Sequence, residues 1–329
     1  MTKPRIGFLG TGWIGRHRMA AMLATGMVEA VGIADPSPAM VVDALTLAPG
    51  AQVVADLDAL LALGVDGVVI ATPSALHAEQ SVHALAAGVA VFCQKPLGRD
   101  AAEAARVVAA ARQADRLLGV DFSYRHTAGM AAIAPLVRDG ALGRVFAVDL
   151  TFHNAWGPDK PWFYDRAQSG GGCVMDLGVH LVDLALWVLD FPALDGRVAA
   201  QLLSGGQPLS CSSAEVEDYA TAQFRLASGT VVRLACSWRL HAGREAVIEA
   251  HFHGTDGGAA LRNVNGSFYE FTAERFAGTE CETLTSGSDE WGGRAAAEWA
   301  RRLASGERFD AAADELVRVA EVLDAIYAA

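Results

Sequence analysis

The sequence predicts a two-domain protein: an α/β Rossmann domain with a doubly wound parallel sheet, then an α+β domain on a large, mostly antiparallel open sheet. Three observations carry this expectation. The chain has 329 residues, more than one hydrophobic core usually organises. Its first part alternates short Val/Ile/Ala-rich runs with helical stretches, the rhythm of βαβ units covered on both faces. Its second part strings strand-like runs together, several alternating apolar with polar, as a sheet with one covered face requires.

In the first part the strand candidates are RIGFLG, VEAVGIA, AQVV, DGVVIA, VAVFCQ and LLGVDF. The helix between the fourth and fifth, 75–87, has Ser74 in a capping position and Gly88 as its stop. After Tyr124 the character changes. A helix over 128–138 leads through DGALG into RVFAVDLTFHN, and a Gly/Pro/Trp-rich loop runs to Gly172. Beyond a second helix come RVAAQLLS, DYATAQFRL, TVVRLACSW, EAVIEAHFHG, AALRNV and SFYEFTA, with LASGTVV as a hairpin turn. Helices over 294–303 and, behind a cap at Asp310, over 311–327 close the chain. The expected domains are therefore 1–123 and 124–329, with the last helix positioned to return to the first domain.

Composition narrows the function. Hydrophobic residues make up 52% and charged residues 19%, and no run approaches twenty uninterrupted apolar residues, so no membrane partner is expected. The N-terminus enters a strand directly, without a signal-like apolar run, and cytoplasm is the expected compartment. The five cysteines are scattered without ligand spacing, and the expectation is buried thiols and no metal. A net charge of -12 with no basic block disfavours nucleic acid and suits a small-molecule ligand.

GFLGTGWIG places Gly10, Gly12 and Gly15 as GxGxxG between the first strand and a helix, with Trp13 and Ile14 inside the turn. Glycines allow close backbone approach, and a helix start offers N–H groups to a pyrophosphate. Asp35, at the end of the second strand, can accept hydrogen bonds from ribose hydroxyls and would repel a 2′-phosphate, so NAD is preferred to NADP. Thr72 and Pro73 follow the fourth strand at the same sheet edge, and His77 is a structural residue or a cofactor contact.

Lys95 ends the fifth strand, its backbone held extended by Pro96. GGGCVMDLGVH sets Asp176 and His180 four residues apart on one helix face, with Asp183 and Trp187 continuing the stripe. A carboxylate beside an imidazole that titrates near neutrality suits acid/base work; a metal pair and a helix cap are the rival readings. His153, Trp156 and Trp162 could line a pocket for a polyhydroxylated ring, with packing an equal alternative. Tyr124 and Arg125 join the domains, as cleft residues or, for Arg125, as a structural ion pair.

Taken together, GxGxxG, ATPSALH, QKP, YR and WFYDRAQSGGGCVMDLGVH resemble the glucose-fructose oxidoreductase/inositol dehydrogenase group, or Gfo/Idh/MocA family, over essentially the whole chain. The resemblance implies NAD(P)-dependent redox chemistry on sugars or polyols. It makes Lys95, Asp176 and His180 the catalytic residues, with Gln94 and Lys95 near the cofactor, and implies dimers or tetramers through the second sheet. An NAD-dependent glycosidase and a non-catalytic sugar-responsive regulator are the alternatives. Gln94 stands where the family usually has glutamate, so Lys95 is expected to lack a negative neighbour.

Overall fold

The computed structural model describes residues 2–210 and 214–329; Cys211 lies outside them. The chain forms two compact units, Met1–Ser123 with Gly293–Val317, and Tyr124–Gly292 with Arg318–Ala329.

In the first unit β1 (Arg5–Leu9), α1 (Trp13–Ala24), β2 (Glu29–Ala34), α2 (Pro38–Leu45), β3 (Gln52–Val53), α3 (Leu57–Ala62), β4 (Gly67–Ile70), α4 (Ser74–Ala86), β5 (Ala90–Cys93), α5 (Ala101–Ala114) and β6 (Leu118–Val120) alternate. The strands form a parallel sheet in the order β3-β2-β1-β4-β5-β6, whose reversal at β1 and β4 is the dinucleotide-binding arrangement. β4 and β5 are buried at every residue, which is why they read as unbroken apolar runs. Ser74 proves to be the first residue of α4, with Pro73 at the N-cap and no side-chain capping bond.

The second unit contains α6 (Ala128–Arg138), β7 (Val145–Asn154), α7 (Arg166–Ser169), α8 (Val179–Val188), β8 (Leu194–Ser204), β9 (Gln207–Pro208), β10 (Tyr219–Leu226), β11 (Val231–Ser237), β12 (Ala246–Gly254), β13 (Gly258–Asn263), β14 (Phe271–Ala277) and β15 (Glu280–Thr285). Its nine strands run in the order β15-β14-β13-β12-β7-β11-β10-β8-β9, antiparallel except for β7 with β11. The segment Arg166–Val188 is long and apolar enough by composition to cross a membrane, but 89% of its most apolar window is buried inside the protein.

α9 (Arg294–Ala304) corrects the expected domain assignment, because it belongs to the first unit. Ala295, Ala296, Trp299 and Ala300 are buried with Ile6, Phe8 and Phe92 of the parallel sheet. Gly67 and Gly119 leave room for the Trp299 indole: a Cβ on either would lie within 2.7 Å of it. α10 (Asp314–Tyr327) starts within the first unit and ends within the second. Cys93, Cys173 and Cys236 are buried thiols, whereas Cys281 is exposed on β15, contrary to expectation.

Candidate active site

In the first unit the predicted residues gather along the carboxyl edge of the parallel sheet, where β1, β2, β4 and β5 end. Gly10 has φ +83°, and a Cβ there would sit 2.6 Å from the Ala71 carbonyl oxygen. A Cβ on Gly15 would sit 2.2 Å from the Gly10 carbonyl oxygen. Gly12 differs: a Cβ would meet nothing within 4 Å, and Gly12 N-caps α1 with no side-chain capping bond. Uncapped N–H groups facing open space fit a pyrophosphate. Trp13 is exposed and Ile14 half-buried beside them. Asp35 Oδ2 accepts the Thr11 N–H at 2.6 Å and Oδ1 the Ser37 N–H at 2.8 Å, so the carboxylate braces the glycine turn. Its remaining lone pairs can receive ribose hydroxyls.

Thr72 and Pro73 are half-buried at this edge, and Thr72 donates to Gln80 at 2.6 Å. His77 is corrected as a cofactor contact. It is 1% exposed, and its ring nitrogens lie 2.7 Å from the Pro96 carbonyl and 2.8 Å from the Thr72 carbonyl. Both polar atoms of the ring thus face the main chain. Burial lowers its pKa, and the charge of Lys95 adds to that; the two carbonyls oppose it. Gln94 is likewise buried, its amide donating to Asp121 Oδ2 at 2.7 Å, which leaves its Nε2 committed inside the protein. Lys95 is half-buried next to it.

In the second unit a Cβ on Gly171 would fall 1.9 Å from the Tyr327 hydroxyl and one on Gly172 1.9 Å from the Glu217 carbonyl oxygen. The helix that follows begins with a widened π turn, Val174–Gly178, before α8, a form that recurs at functional sites. Within 171–180 every residue is buried except Asp176 and His180, which are half-buried. The helix start is held by Glu217, missed in the sequence. Its carboxylate accepts the N–H groups of Gly172 at 3.0 Å and Val174 at 2.9 Å and the Tyr327 hydroxyl at 2.7 Å. Burial raises its pKa against the pull of these donors.

Asp176 Oδ2 accepts the Trp238 indole N–H at 3.0 Å, and the His180 ring meets Tyr124 edge-on with centroids 4.9 Å apart. Tyr124 is corrected from the cleft to the core: it is 8% exposed among Phe152, Phe271 and Trp291. Arg125 is corrected to the ion pair, bonding Asp183 at 2.5 and 2.9 Å while its guanidinium lies over Phe191. Burial raises the Asp183 pKa and Arg125 pulls it back. His153 stacks on Tyr219 and bonds Ser237 Oγ at 2.7 Å; burial lowers its pKa. Trp156 is exposed, and Trp162 stacks on Phe163 at 3.8 Å.

A glycine turn that opens onto an uncapped helix, and an aspartate and a histidine half-buried in an otherwise buried run of a second unit, accord with a nucleotide-dependent oxidoreductase. Residues 4–122 match the model of the oxidoreductase family with an NAD-binding Rossmann fold, and residues 130–260 match that of the GFO/IDH/MocA C-terminal domain. The chain belongs to the Gfo/Idh/MocA family. It is 32% identical to a putative UDP-kanosamine synthase oxidoreductase subunit of Amycolatopsis mediterranei, over 78% of this chain and 75% of that one. It is 28% identical to D-glucoside 3-dehydrogenase of Escherichia coli, over 61% of this chain and 60% of that enzyme. Among solved structures, GenD2 from gentamicin A biosynthesis, in complex with NAD, superposes with a TM-score of 0.82 at 26% identity, covering 100% of this chain and 94% of that one.

Proposed function

We propose that the protein is an NAD-dependent dehydrogenase that oxidises a CH–OH group of a sugar, polyol or sugar derivative, or reduces the matching carbonyl. The observation that carries the reading is that Asp176 and His180 alone are half-buried within 171–180, where every other residue is buried. Ionisable side chains held at partly buried positions of a buried helix are candidates for a functional site. A bound nicotinamide supplies the hydride acceptor. The chain handles the proton: His180 takes it from the hydroxyl as the C–O bond becomes a carbonyl. Lys95 hydrogen-bonds that oxygen, and Asp176, steadied by Trp238, orients substrate and imidazole. Thr72, Pro73, Trp13 and Ile14 border the cofactor, and His153, Trp156 and Trp162 border the sugar.

The preference for NAD is supported by Asp35, whose charge disfavours a 2′-phosphate at the end of β2. A cytoplasmic compartment is supported by the cysteine pattern of the sequence, which has no disulfide framework. The open sheet face, with the Arg233–Asp149 and His251–Glu249 pairs pointing outward, supports a homodimer or homotetramer through that face. The experiment is a screen of methyl D-glucoside, D-glucose and myo-inositol with NAD and NADP, followed by reduced-nicotinamide absorbance. Lys95→Met and His180→Ala are each expected to lower turnover by roughly 10² or more while NAD binding stays intact. Wild-type turnover in Lys95→Met would overturn the mechanism, and release of a leaving group without net reduction would favour a glycosidase.

A further inference from the structure

Behind the strand ends that carry Lys95 lies a buried polar cluster that the proposed reaction does not use. Asp121 is 1% exposed, and both of its carboxylate oxygens are engaged. Oδ2 receives Arg18 Nε at 2.5 Å and Gln94 Nε2 at 2.7 Å; Oδ1 receives the Ser123 hydroxyl at 2.5 Å. Arg18 also donates to Ser123 Oγ at 2.9 Å, and its Nη1 lies 2.9 Å from His17 Nδ1. The backbone fixes the same layer. Asp121 N–H donates to the Cys93 carbonyl at 3.0 Å and Gln94 N–H to the Ile70 carbonyl at 2.9 Å, extending the pairing of β4, β5 and β6 by one residue. Lys95 is the next residue, so its departure from the sheet is set by how Gln94 is held.

The charge balance dictates the residue type at 94. One guanidinium faces one carboxylate here, and the neutral amide adds a donor. A carboxylate at 94 would place a second negative charge about 2.7 Å from the first inside the protein, and two carboxylates that close do not both ionise. We propose that Gln94 and Asp121 are a matched pair of positioning residues for Lys95, with the negative charge of this layer lodged at position 121 and position 94 restricted to a donor. The carboxylate of this layer stands one strand further along, at Asp121. The role assigned to the pair rests on the dehydrogenase reading of Lys95.

The test is a double-mutant cycle of wild type, Gln94→Glu, Asp121→Asn and the double variant, read by melting temperature, by NAD affinity and by kcat on whichever of the three compounds above is oxidised. Gln94→Glu is expected to lower the melting temperature and to reduce kcat about tenfold while NAD affinity changes less than about threefold; the double variant is expected to recover most of both losses. Losses that simply add, or a Gln94→Glu protein indistinguishable from wild type, overturn the pairing. Recovered stability without recovered kcat overturns the positioning role. If Gln94→Glu does not fold, folding of the double variant supports the pair. If neither folds, a cycle from Gln94→Met and Asp121→Asn, which adds no charge, decides it: coupling supports, additivity overturns. A wild type silent toward all three compounds removes the dehydrogenase reading and the role with it, while the melting cycle still reports whether the pair is coupled.

Discussion

The turn from Gly10 to Gly15 and the turn from Gly170 to Gly172 each bring glycines to the start of a helix, but different neighbours demand them. At Gly171 and Gly172 the missing Cβ volumes are filled by Tyr327 and by the Glu217 backbone, so the protein itself occupies the space. At Gly10 the main chain of Ala71 does the same and at Gly15 that of Gly10, while in front of Gly12 the space stays open. A single glycine of GxGxxG is therefore available to a ligand, and the triplet serves folding. Glycine-rich spacing alone does not separate the two uses.

The largest effect is expected at Gly172. A Cβ 1.9 Å from a carbonyl oxygen has only main chain to push against, so Gly172→Ala should cost about 3 kcal/mol or more, read by urea unfolding. Wild-type stability in that variant would break the comparison. Gly12→Ala should melt with the wild type yet bind NAD about tenfold more weakly by calorimetry, roughly 1.4 kcal/mol, because its methyl enters the space reserved for the pyrophosphate. Unchanged NAD affinity there would leave the open space unexplained.

The smallest effect sharpens the account of the triplet. Burial raises the Glu217 carboxyl above its ordinary value of 4.5, so the folded state binds that proton more tightly than the unfolded state. The resulting stability is complete below the ordinary value and is lost as pH climbs through the raised one. Glu217→Gln carries no such proton. Relative to this variant the wild type should lose stability as pH rises from near 4.5 to neutrality, measured by denaturant titrations at several pH values. A difference that stays flat across that range would show that the carboxylate is not strained by burial.

The parallel sheet was legible because continuous burial leaves continuous apolar runs, and β4 and β5 are such runs. Local spacing singles out Asp176 and His180, and both stand half-buried in a run that is otherwise buried. What stayed hidden depends on partners distant in sequence. Glu217 meets Gly172, Trp238 meets Asp176 and Asp121 meets Arg18 only after the chain has folded. The family resemblance puts Gln94 near a cofactor, and a place just beyond Thr72 and Pro73 does the same for His77, but neither reveals which way a side chain points. The π turn left no sequence signal either, since its residues fit an ordinary helix.

The Trp299 indole, set into the space left by Gly67 and Gly119, has a bearing on synthesis. During translation all six strands of this sheet would emerge long before Trp299, with one flank still bare until α9 followed. Maturation of this lobe thus waits for α9, and deleting that helix would be felt in the sheet that carries the glycine turn.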